Sequence, residues 1–148
     1  MTAARRLLAL GPRRGIAAVV VSGLLVATPL ARVHAEAPPV TASMQCEPNA
    51  EPGRVRCTVE ARARAGVAIR WGDVVIASAP ERMEPLRGRT SPAEATTRDD
   101  GVWRWGLALV ARERGTFDVR VRARLVVCEG ERCAPFEVEV AVPVVVGR

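Results

Sequence analysis

Four cysteines are the residues of this 148-residue chain best suited to chemistry, and they fall into two couples, Cys46 with Cys57 and Cys128 with Cys133. The second couple lies in VVCEGERCAPFEVEV, which reads as a strand, a tight loop and a returning strand. A thiol can serve as disulfide partner, metal ligand or redox nucleophile. Neither spacing is the repeated Cys-x-x-Cys of a zinc site, so the sequence predicts disulfides, with no metal and no other cofactor. Four cysteines permit three connectivities, and only proximity within two hairpins favours Cys46–Cys57 and Cys128–Cys133.

The amino terminus decides what other chemistry remains. Arg5, Arg6, Arg13 and Arg14 accompany an apolar run from Ile16 to about Ala27, and small residues follow with a plausible cut after Ala35. This is the anatomy of a secretory signal peptide over residues 1–35. Pro29 and Arg32 interrupt the run short of the roughly 20 apolar residues that a spanning helix needs, so membrane contact is expected only during export. The processed chain is expected in the periplasm or outside the cell, an oxidising setting that suits disulfides.

Removing residues 1–35 takes away five of the 22 basic residues and none of the 16 acidic ones, and the formal charge falls from +6 to +1. Most of the excess that would suggest a nucleic-acid partner therefore belongs to the leader, and no nucleic-acid binding is expected. The single histidine, His34, leaves as well, and the sequence holds no lysine and no tyrosine. Histidine acid–base catalysis, Ser-His-Asp triads and histidine metal sites are excluded in the processed chain. No hydrolase or transferase site is visible.

Residues 36–148 have the length of one domain. From Val40 onward apolar and polar residues alternate with period two, broken at short intervals by Gly, Pro and Asp clusters. The predicted strands run over about 40–46, 54–64, 67–76, 102–111, 116–127 and 134–146, with a further one near 82–90. Six or seven such strands predict an all-β fold, an immunoglobulin-like antiparallel β-sandwich. The stretch 77–101, with Pro80, Pro85 and Pro92, is either a long connection or a crossing from one sheet to the other, and a solvated connection is the simpler reading.

The two cysteine couples are predicted to occupy different faces. With Cys128 opposite Cys133, Leu125 faces Phe136, Ala123 faces Val138 and Val121 faces Val140, while Arg124 meets Glu137 and Arg122 meets Glu139. One face is apolar and the other ionic, and the cysteines fall on the ionic, outward one. With Cys46 opposite Cys57, Met44 faces Val59 and Ala42 faces Ala61, and here the cysteines share the apolar face. Cys46–Cys57 therefore reads as a buried structural disulfide. Cys128–Cys133 reads either as a staple at an exposed hairpin tip or as a pair open to thiol–disulfide exchange. Arg132 would favour a thiolate at Cys133, whereas Glu129 and Glu131 would oppose it.

Trp103, Trp105, Leu107 and Leu109 alternate onto one face, and Trp71 falls in phase with Val67 and Ile69, so all three indoles are expected in the core. Arg54, Arg56, Arg62 and Arg64, together with Arg120, Arg122 and Arg124, form arginine ladders. These are expected to be solvated faces partly paired with Glu60, Glu137 and Glu139 rather than an anion site.

Strand, cysteine, short loop, Cys133-Ala134-Pro135 and a returning charged-apolar strand together resemble the amino-terminal domain of DsbD-type thiol:disulfide interchange proteins, over about residues 102–146. That resemblance implies an exported immunoglobulin-like domain with its redox pair at Cys128 and Cys133, Cys133 attacking. It also implies a thioredoxin-like or membrane thiol reductase as partner. The alternative from the residues alone is a non-enzymatic secreted binding or adaptor module in which both disulfides are structural.

Overall fold

The computed structural model describes residues 37–147. The chain divides between Ala35 and Glu36, and the signal peptide expected over 1–35 lies outside the described residues. Among these there are nine strands and no α-helix: β1 (Val40–Cys46), β2 (Gly53–Ala63), β3 (Val67–Ser78), β4 (Met83–Pro85), β5 (Arg89–Thr90), β6 (Ala95–Arg98), β7 (Val102–Ala111), β8 (Gly115–Glu129) and β9 (Arg132–Val146). The six long strands are those that the alternation predicts.

Two antiparallel sheets face each other. One has the order β1-β2-β7-β4, with β6 also paired to β7, and the other the order β5-β3-β8-β9. The protein is an all-β, immunoglobulin-like sandwich. Its core is the set of inward side chains the alternation places there. Met44, Val55, Val59, Trp105 and Leu109 come from the first sheet, and Val74, Val119, Val121, Leu125 and Val144 from the second. Burial of such side chains supplies the main force holding the sheets together.

The stretch 77–101 is a crossing, made three times after β3 leaves the second sheet. β4 pairs with β7 through Met83 and Ala111, β5 moves to the other sheet and pairs Thr90 with Val74, and β6 returns to β7 through Ala95 and Trp105. Met83 and Thr90 are buried, so this segment belongs to the sandwich rather than lying over it. A single 3-10 turn, Pro92–Glu94, links β5 to β6. The Glu94 carboxylate accepts a hydrogen bond from the Ser91 backbone N–H at 2.7 Å and closes a capping box.

One indole departs from expectation. The β3–β8 register slips between Ile69, opposite Val127, and Trp71, opposite Val126. The extra residue, Arg70, is a β-bulge, and from Trp71 to Ile76 the side chains of β3 change face, until a second shift before Ser78. Trp71 therefore points outward and is 39% exposed. Gly72 takes the inward position, where a Cβ would lie 2.7 Å from Leu125 Cδ2 and 3.0 Å from Trp105. Trp103 and Trp105 are in the core as expected, their ring centroids 5.7 Å apart.

β9 is the edge of its sheet. Its odd-numbered N–H groups point away from β8, as the bond from Gly147 N–H to the Asn49 carbonyl at 2.7 Å marks. Pro135 and Pro143 share that parity, so neither deprives the β8–β9 ladder of a donor.

Candidate functional site

Both hairpin registers are those derived from the sequence. Cys46 lies opposite Cys57 in β1–β2, and Cys128 lies opposite Cys133 in β8–β9. Both pairs are disulfides, with Cα separations of 3.9 and 4.0 Å. Among the described residues there is no free cysteine, and no cluster of His, Cys, Asp and Glu suited to a metal ion.

The pairs differ in setting. Cys57 is 3% exposed and belongs to the core, with Cys46 packed against it. Cys128 and Cys133 lie on the outer face, as their parity requires, but are not equally accessible. Cys128 is on an interior strand, between Ala68 of β3 and Cys133 of β9, and is 6% exposed. Cys133 is on the edge strand and exposed. The expectation of two outward sulfurs holds for their direction. Neighbouring strands on both sides cover one of them.

The hairpin turns tightly, through Gly130 and Glu131 alone, and Gly130 adopts φ 59°, which an L side chain tolerates poorly. Beside the turn is a groove of about 460 Å³, lined by Pro38, Pro39, Val67, Phe136, Arg64, Glu129, Arg132 and Cys133 among others. The Arg64 N–H donates to the Pro39 carbonyl at 3.0 Å, which fixes the proline wall against β2. The Arg64 guanidinium lies 3.3 Å from the Glu129 carboxylate.

The arginine ladders are mostly paired. Glu60 sits between Arg62 and Arg104, each 2.6 Å away. Hydrogen bonds from Arg62 and then Arg104 hold its carboxyl below the ordinary range. Arg122 reaches Glu137 at 3.1 Å and Glu139 at 3.4 Å, and Arg120 reaches Glu139 at 3.7 Å. Asp73, which the sequence reading left without a role, is fully buried on the outer face, ion-paired with Arg124 and Arg89.

Trp71 is the residue that the sequence reading placed wrongly. It lies directly opposite Val126, and Val126 lies opposite Pro135. The next row toward the hairpin tip is Ala68, Cys128 and Cys133. The indole is therefore a diagonal neighbour of Cys128 on the same face, a spacing that aromatic side chains bridge.

No family model matches the chain, and no curated protein matches it in sequence. Among solved structures it is similar to BslA, described as a bacterial hydrophobin, with 8% identity over 74% of this chain and 95% of that one and a TM-score of 0.35. It is also similar to the ASH/PapD-like domain 7 of human CEP192, with 9% identity over 93% of this chain and 100% of that one and a TM-score of 0.34. No helix among the described residues is long and apolar enough to cross a membrane.

Proposed function

We propose that this chain is an exported domain, similar to the amino-terminal domain of DsbD-type proteins, that carries out thiol–disulfide exchange at Cys128–Cys133. The observation that carries this reading is the inequality of the two sulfurs, Cys133 exposed at the rim of a groove and Cys128 covered. Exchange needs one sulfur that an incoming thiolate can reach and a second that leaves or resolves. Two disulfides support export.

In the reductive half, a thiolate of a partner dithiol attacks Cys133 Sγ. The Cys133–Cys128 bond breaks, and Cys128 leaves as a thiolate. The partner's second thiolate then attacks the partner sulfur of the mixed disulfide and expels the Cys133 thiolate. Two electrons have moved, and the partner is left as a disulfide. In the oxidative half, the Cys133 thiolate attacks one sulfur of a substrate disulfide, whose S–S bond breaks and releases the other sulfur as a thiolate. The Cys128 thiolate then attacks Cys133 Sγ, re-forms the intramolecular bond and expels the second substrate thiolate. A thioredoxin-like or membrane thiol reductase supplies the reducing dithiol.

The test is to equilibrate the processed protein with defined glutathione or dithiothreitol buffers and count alkylated thiols by mass. The expected result is a Cys128–Cys133 potential well above about −300 mV beside a resistant Cys46–Cys57. Equal resistance of both pairs overturns the reading in favour of a binding module with two structural disulfides.

A further inference from the structure

Trp71 is one of two large hydrophobic residues exposed among the described residues, the other being Leu86. Leu86 follows β4, in the crossing segment, and lines a pocket on the first sheet together with Cys57. Trp71 lies beside Cys128, and with Val126 and Pro135 it makes an apolar row across three strands. Val126 is half-buried and Pro135 exposed. The disulfide row lies immediately beyond it, with Ala68 continuing that row on β3.

On its other side the row is bounded by charges already satisfied. Asp73 is held by Arg124 and Arg89, and Glu137 and Glu139 are held by Arg122. Bordering groups paired within the protein offer an incoming surface few unmet charges. What the outer face presents beside the disulfide is apolar area, centred on an indole, the side chain most often found as an energetic anchor in interfaces. The bulge at Arg70 is what aims it there, a placement that bulges commonly serve next to reactive sites.

We infer that Trp71 is a specificity-determining residue for the exchange reaction, the anchor on which an uncharged, apolar segment flanking the reactive cysteine of the partner protein docks over Val126 and Pro135. This rests on the exchange reading of Cys128–Cys133. A protein dithiol gains from the strip because its flanking residues bury the indole while its thiolate reaches Cys133. A small dithiol has no such flank and gains nothing.

The test measures rates of reduction of the oxidised, processed protein by dithiothreitol and by reduced thioredoxin, the protein dithiol used as probe. Trp71→Ala, Trp71→Phe and Val126→Thr are compared with the parent, with both disulfides and the circular dichroism of each variant verified first. Trp71→Ala is expected to slow reduction by thioredoxin roughly tenfold, the loss typical of one interface anchor, and to leave the dithiothreitol rate within about twofold. Val126→Thr should show the same selectivity more weakly, and Trp71→Phe should keep most of the parent rate. Unchanged thioredoxin rates, or equal slowing with both reagents, overturn the inference and leave the exchange reading standing. A parent protein that resists both reagents overturns the exchange reading and the inference with it. If sedimentation shows a parent dimer that Trp71→Ala dissociates, the strip is covered by a second copy and the assignment to a thiol partner fails.

Discussion

Arg124 faces Glu137 across the β8–β9 ladder yet gives its guanidinium to Asp73, on the strand to the other side. Its Nε donates to Asp73 Oδ1 at 2.8 Å, a second N–H reaches Oδ2, and Arg89 meets the same carboxylate from β5. The choice follows burial. Glu137 has water, whereas Asp73 has none, and an ionised carboxylate out of water needs its partners. The arrangement ties β5, β3 and β8 together on the face that carries Trp71 and the Cys128–Cys133 pair.

Removing Arg124 should therefore cost more than removing a surface arginine. Arg124→Ala leaves a buried carboxylate with Arg89 alone, and a clearly larger loss in denaturant unfolding is expected than for an exposed pair. Arg120→Ala, whose exposed pair with Glu139 spans 3.7 Å, should cost less than about 1 kcal/mol. Equal losses would show that Asp73 is adequately held without Arg124.

The same carboxylate sets an acid dependence. Burial pushes the Asp73 carboxyl up, but hydrogen bonds from Arg124 and then Arg89 outweigh it and hold the group below its ordinary value of 3.8. A folded value below the unfolded one means stability that is present above about pH 4 and lost as pH falls through the folded value. Asp73→Asn should be less stable than the parent at pH 7 and lose less on further acidification below pH 4. Urea midpoints taken across that range measure it.

Replacing either cysteine of the hairpin pair should have opposite consequences for trapping. In Cys128→Ser the accessible Cys133 can attack a substrate disulfide but nothing resolves it, so a mixed disulfide should accumulate, visible by mass. In Cys133→Ser the remaining thiol is the covered one, and little adduct should form. Similar adduct yields from both variants would contradict the assigned polarity.

Gly72 should tolerate no side chain. Its backbone does not lie at positive φ, so the objection to alanine is space, with Leu125 and Trp105 in the way and themselves buried. Gly72→Ala is expected to cost about 1–3 kcal/mol by overpacking, read as a lowered thermal midpoint.

Deleting Cys46–Cys57 as a double alanine variant should cost about 3 kcal/mol through the restored freedom of the unfolded loop and lost core packing. Exchange at the other pair should continue unimpaired in the variant that remains folded, as reduction kinetics would record.

Most of the fold was legible because strand alternation and hairpin register are local properties. Two strands joined by a tight turn test each other, and the agreement of Leu125 with Phe136 and of Arg122 with Glu139 left one register standing. Two things were not. A single inserted residue at Arg70 leaves the composition of β3 unchanged, and period-two counting carried Trp71 inward with Val67 and Ile69. A signal did exist: the apolar phase moves from Val67 and Ile69 to Val74 and Ile76, and an unbroken strand would have put charged Asp73 inside. The three short strands from β4 to β6 are too brief for any period, and their placement depends on two sheets already being assembled.

The parity of Pro135 and Pro143 on β9 has a consequence beyond the ladder they spare. A fifteen-residue strand with a free edge is a template on which another chain can add, and sheets grow end to end into insoluble deposits by that route. Two missing donors interrupt the row that such growth would need, and the link from Asn49 to Gly147 occupies its far end. The strand that holds Cys133 in the open can therefore stay exposed without seeding aggregates.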